Sequence, residues 1–134
     1  MITKEKLEHI SELTVSIRHK EARCDALAAA VTGSALSYSE RVQTSASNLQ
    51  EAIVVNLADL RREIDQERAE LAPLQAEVRE WAKTLTVTEA RIIELRYCDL
   101  MRWDDVATSL AYCTRQVRRI HDDLVRDLDE NQGA

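Results

Sequence analysis

Between Ala111 and His121 the chain carries three arginines, one glutamine and no acidic residue. Arginine and glutamine are the side chains that pair in bidentate fashion with guanine and adenine edges in the major groove, and clustered positive charge neutralises phosphate. Thr114, Arg115, Gln116, Arg118 and Arg119 are the candidate DNA contacts. Their surroundings carry the opposite charge. Residues 85–134 hold 7 basic and 10 acidic side chains, a net of −3, within a chain of net charge −6. The basic cluster is therefore local, bordered by Asp104, Asp105, Asp122 and Asp123.

Other chemistry finds little support. There is no Gly-rich phosphate loop, nucleophile elbow or HExxH motif. The carboxylate pairs Asp104–Asp105 and Asp122–Asp123 are sequence neighbours, and neighbours on a helix point about 100° apart, so they do not face each other as an acid/base couple. Cys24, Cys98 and Cys113 are an odd set at wide spacing, which reads as free thiols in a reducing compartment. His9, His19 and His121 stand at no metal-ligand spacing from them. The expectation is a protein that is not an enzyme and uses no metal or cofactor.

The spacing around the arginines specifies the element that holds them. Val106, Ala107, Leu110, Tyr112, Val117 and Ile120 fall where a helix-turn-helix places its core. Ala107 is small because the second helix crosses the first closely there. The first helix is expected from about Trp103 to Leu110. A turn, Ala111-Tyr112-Cys113, leads into a recognition helix from Thr114 to about Leu128, with Asp129–Ala134 frayed. Val117, Ile120 and Leu124 line its inner face, which puts the arginines outside. Thr86 and Glu89 form a capping box for a preceding helix that ends near Asp99. Trp103, Tyr97 and Tyr112 are expected in the small core, and His121 as a partly exposed structural histidine.

The rest of the 134 residues supports an all-α fold. Two glycines, one proline and no phenylalanine cannot furnish the tight turns of a sheet protein. Residues 3–31 read as one long helix with Thr3 as N-cap and a seam of Leu7, Ile10, Thr14, Ile17, Cys24, Ala28 and Val31, broken by Glu21. Thr32–Asn48 is rich in Ser and Thr and reads as a polar loop. A second long helix follows with the seam Ile53, Leu57, Leu60, Ile64, Leu71, Leu74, Val78, Trp81 and Leu85. Only Glu67 interrupts its alternating spacing of three and four. Pro73 lies within it without breaking the register. The simplest assembly is an antiparallel coiled-coil-like hairpin over 1–84, followed by a three-helix domain over 85–134. Pairing between chains is the alternative for the long helices. No stretch of about 18 apolar residues is available to span a membrane, and the N-terminus does not read as a signal peptide.

The segment from Thr84 to Leu128 resembles the helix-turn-helix of sigma-70 region 4. More closely, it resembles small phage and prophage transcriptional regulators of the ArpU and RinA type, including the DUF1492 family. The matching residues are Leu95–Tyr97, Trp103, Asp104, Asp105, Val106, Ala107, Leu110, Tyr112 and Arg115 through His121. The resemblance implies a phage-encoded regulator of late or packaging genes that acts on double-stranded promoter DNA, in the bacterial cytoplasm and at the nucleoid. A homodimer is expected, its two recognition helices spaced about one DNA turn apart. RNA polymerase is a possible second partner. The alternative is a coiled-coil interaction protein that binds polymerase or another regulator without touching DNA. Two positions depart from the pattern, which has Gly in the turn and Ser before the recognition helix. Ala111 and Cys113 stand there instead, and since Cys is a poor N-cap, Thr114 is expected to take that role.

Overall fold

A computed structural model describes residues 2–38 and 43–133, and the side chains of 2–31 and 48–130. Five α-helices and no strand are found among them: α1 Lys4–Tyr38, α2 Gln43–Ala82, α3 Val87–Ile93, α4 Trp103–Leu110 and α5 Thr114–Gly133. The protein is all-α. A π-helical turn, Glu94–Cys98, continues α3.

Two expectations about helix length are corrected. The segment expected as a loop is helical over 32–38 and again from Gln43, while 39–42 lie outside the described residues. Once a helix is nucleated, each added residue gains a backbone hydrogen bond. Gly33 costs only about 1 kcal/mol against Ala, and serines less. Composition alone does not stop such a helix. Likewise α5 runs to Gly133 instead of ending near Leu128.

The chain forms two compact units, Met1–Val15 with Glu70–Ala134 and Ser16–Ala69. The division cuts both long helices, whereas the one expected from sequence falls between residues 84 and 85. In the unit of residues 16–69, Ile17, Leu57 and Ile64 are buried and Cys24, Ala28, Val31, Ile53 and Leu60 are half-buried. Glu67, the acidic break in the seam, accepts from Lys20 Nζ at 2.6 Å and Ser16 Oγ at 2.9 Å. Lys20 also meets Glu63 at 3.3 Å. Position on α2 falls from 67 to 63 as position on α1 rises from 16 to 20, so the two segments run antiparallel. Glu21, the break on α1, pairs with Arg68. Both seam acids are thus absorbed as cross-helix ion pairs.

In the other unit Leu7, Ile10 and Leu13 of α1 are buried, as are Leu71 and Val78 of α2. Thr3 caps α1, its Oγ1 accepting from the Lys6 amide at 3.0 Å. Lys6–Glu77 at 2.7 Å and His9–Glu70 at 2.8 Å join the helices, again antiparallel. Pro73 sits inside one continuous α2. A proline in a helix interior costs about 3 kcal/mol. Burial of Leu71 and Val78 on either side contributes about 2 kcal/mol each and offsets it.

The C-terminal helices start with the capping box. Thr86 Oγ1 accepts from the Glu89 amide at 3.2 Å, and Glu89 Oε1 accepts from the Thr86 amide at 3.0 Å. Ile92, Leu95, Val106, Ala107 and Val117 form one core, with Met101, Trp103, Leu110 and Ile120 packed against it. This core joins α3, the π turn, α4 and α5. Tyr112, expected in it, is 38% exposed and lies outside. It follows the turn residue directly, where the chain has left α4 and not yet entered α5.

Candidate nucleic-acid interface

The geometry of α5 is set by how α4 ends. Ala111 takes a left-handed conformation, φ 58° and ψ 38°. Its amide donates to Thr108 O at 3.3 Å, and the Tyr112 amide donates to Ala107 O at 3.0 Å. These two bonds make a Schellman C-cap, which usually places Gly at the left-handed position. Ala accepts the conformation at a cost of about 1 kcal/mol.

The start of α5 corrects a further expectation. The Cys113 carbonyl accepts the first helical bond, from the Val117 amide at 3.2 Å. Cys113 therefore occupies the N-cap and Thr114 is the first helical residue. The Thr114 hydroxyl does not cap; it donates to Asp104 Oδ1 at 2.8 Å. That bond ties the first turn of α5 to the first turn of α4. It replaces a side-chain cap with an inter-helix tether.

Val117 is fully buried and Leu124 nearly so, which turns the opposite side of α5 outward. Arg115, Gln116, Arg118 and Arg119 are exposed, and Thr114 is half-buried. Thr114, Arg115, Arg118 and Arg119 line one shallow concavity, continued along the helix by Asp122, Asp123 and Arg126. Gln116 is not among its lining residues. Four of the five expected contacts are thus brought together, and the fifth stands apart on the exposed surface.

Beside this face lies a cluster that sequence reasoning missed. Trp103 has the Arg96 guanidinium 4.6 Å from its ring centroid and that of Arg118 at 6.0 Å. Arg96 is anchored, donating to the Met101 carbonyl at 2.8 Å. His121 packs edge-on to Trp103 at 4.7 Å and stacks on Tyr97 at 5.6 Å. Its Nε2 lies 2.5 Å from the Tyr97 hydroxyl and its Nδ1 3.1 Å from Asp122 Oδ1. The His121 side chain is only 12% exposed, more buried than expected. Burial holds its pKa below the usual 6.5 despite Asp122, with Arg96 and Lys4 adding to the depression. Burial likewise pushes Tyr97 up to about 12, Arg96 opposing and Glu8 and Asp122 adding.

The π turn makes this contact possible. The Asp99 amide reaches back to Glu94 O at 3.1 Å, five residues away, and the wider turn changes the phase at which Tyr97 leaves the helix. The left-handed Leu100, φ 57°, and the Met101 amide on Leu95 O at 3.0 Å then reverse the chain into α4. One available signal was the i+3 spacing of Arg118 and His121, which puts a cation and a ring on one side of α5. Nothing in the local residue types announces a π turn.

A family profile covers nearly the whole chain. The DUF722 family, described as a protein of unknown function, matches residues 8–130. The chain belongs to the DUF722 family. The match spans the long helices as well as α3–α5, and it gives no support of its own to the sigma-70 region 4 or ArpU and RinA resemblance. No curated protein and no solved structure matches the chain. Among the described residues, no group of His, Cys, Asp and Glu is placed to hold a metal ion, and no helix is long and apolar enough to cross a membrane.

Proposed function

We propose that this DUF722 chain is a sequence-specific DNA-binding transcriptional regulator that enters the major groove with the first turns of α5. One observation carries the reading. Arg115, Arg118 and Arg119 share one exposed face, and the buried Val117 between them fixes that face outward. Guanidinium groups on a groove-sized helix supply both bidentate base contacts and phosphate neutralisation. The Schellman turn and the Thr114–Asp104 tether support it, because groove reading needs a recognition helix held at a set angle. The resemblance of Thr84–Leu128 to phage regulators extends the proposal to a phage or prophage origin, late-gene promoters and action at the nucleoid as a homodimer.

The test is binding of the full chain to promoter fragments from its own genome. Specific complexes are expected, with affinity falling steeply as salt rises. Arg115→Ala and Arg119→Ala each remove about 1–3 kcal/mol if they meet bases, and the double variant abolishes the specific complex. A double variant that binds as well as the parent overturns the assignment of α5. Recovery of RNA polymerase by a chain with no affinity for DNA at low salt favours the interaction-protein reading.

A further inference from the structure

The charge along α5 is polarised in a way that the DNA-binding reading does not by itself require. Residues 114–121 carry three arginines and no acid, whereas residues 122–130 carry five acids and one arginine. The positive part is about 12 Å long at 1.5 Å per residue, close to the width of the major groove. Asp122 and Asp123 begin the negative part and line the same concavity as the arginines. They follow Arg118 and Arg119 at the i+4 spacing that puts side chains on one face.

Neither acid is idle. Asp123 Oδ1 accepts from Arg126 Nη2 at 2.6 Å, which occupies the one basic side chain in the distal half of the helix. Asp122 Oδ1 lies 3.1 Å from Nδ1 of the largely buried His121, and its exposed carboxylate lines the concavity. A phosphate that approached past the first two turns would meet one carboxylate beside His121 and a second bound to Arg126, the one basic side chain of residues 122–130.

We propose that Asp122 and Asp123 are specificity-determining residues that suppress sequence-independent binding. Attraction to phosphate carries no sequence information and supplies nearly all non-specific affinity. Limiting it to the groove-width stretch of α5 leaves the base edges as the main source of binding energy. The inference rests on the DNA-binding reading above.

The experiment compares the full-length parent with the double variant Asp122→Asn, Asp123→Asn on a random-sequence duplex across a salt series. Asn keeps a side-chain oxygen for His121 while removing the charge. The variant is expected to bind random sequence about fivefold tighter per carboxylate removed at low salt, the size of a unit-charge contact in water. Its salt dependence steepens by about one phosphate as Arg126 is released. The preference for selected sites over random sequence falls accordingly. Unchanged or weaker random-sequence binding by a folded variant, with the parent binding DNA, overturns the inference and leaves the DNA reading standing. A folded parent that binds no duplex at about 50 mM salt overturns both.

Discussion

The Tyr97 hydroxyl and His121 Nε2 lie 2.5 Å apart, joining the π turn to α5 two residues past Arg119, the last of the basic cluster. Two largely buried polar groups satisfy each other there, so removing the Tyr97 hydroxyl leaves His121 Nε2 unpaired while Nδ1 keeps Asp122. Tyr97→Phe is expected to destabilise the fold by about 1–3 kcal/mol, measured by urea unfolding. The pair also sets a pH response. His121 has a folded-state pKa below its unfolded value of about 6.5, so the unfolded chain takes up the proton first. Its contribution is complete above pH 6.5 and declines as pH falls toward the folded value. Lys4, Glu8, Arg96 and Asp122 share this environment. His9, raised by its bond to Glu70, acts in the opposite sense: its contribution is complete below 6.5 and is lost as pH rises through the raised value. A His121→Phe variant should therefore lose less stability than the parent between pH 7 and pH 5.5, whereas His9→Gln should not.

Ala111 predicts a stabilising substitution. Its left-handed φ of 58° is paid without the glycine that such a cap favours. Ala111→Gly relieves about 1 kcal/mol of steric cost and gives back part of it as unfolded-state entropy. A net gain of about 0.5 kcal/mol is expected, a rise of a few degrees in Tm. A loss of stability on this substitution means the cap is not strained.

Much of this arrangement was legible in the residues, and the exceptions have physical causes. Period and spacing located the core at Val106, Ala107 and Val117 because burial on a helix repeats every three or four positions. Glu89 three residues after Thr86 marked a helix start because a capping box is a local, reciprocal bond. Ser and Thr over 32–38 and 43–48 did not keep these stretches from being helical, since their small helix penalties are overridden by propagation from the flanking helix. The Thr114 hydroxyl was misassigned because a local cap and a tether to Asp104 use the same atom, and only the approach of α4 decides between them. The cluster of Tyr97, Trp103 and His121 depends on a backbone phase set by the π turn, which no side-chain pattern encodes.

Glu67 and Lys20 predict a test of the long helices. Burial raises the Glu67 pKa, but the bonds from Lys20 and Ser16 outweigh it and hold the carboxyl below its ordinary range. The stabilisation is therefore present above the unfolded carboxylate pKa and is lost as pH falls through the lower folded value. Glu67→Gln should lower Tm at pH 7 and leave the variant and parent converging in acid. Replacing both Glu67 and Lys20 with leucine and methionine is expected to be less damaging than Glu67→Leu alone, which leaves the half-buried Lys20 with only its longer contact to Glu63 at 3.3 Å. Losses in Glu67→Leu and Lys20→Met that simply add to that of the double variant would show that the pair is not coupled.

Cys113 and Cys98 should separate under alkylation, and the difference reports on the start of α5. Cys113 is exposed at the N-cap, whereas Cys98 is half-buried in the π turn. Burial first, then Asp99 and Glu94, push the Cys98 thiol up against the weaker pull of Arg79. The thiolate is the reacting form, so Cys98 should be slow at pH 7.5 and Cys113 fast. Mass spectrometry after brief iodoacetamide treatment should find Cys113 modified well before Cys98. An adduct at Cys113 stands next to Thr114, which lines the arginine-lined concavity and bonds Asp104. Singly modified protein should remain helical by circular dichroism yet bind duplex DNA more weakly, and Cys113→Ser should make binding resistant to the reagent. Preferential modification of Cys98 would contradict the exposed N-cap position of Cys113, and full DNA affinity after modification of Cys113 would place the entrance of α5 away from the DNA.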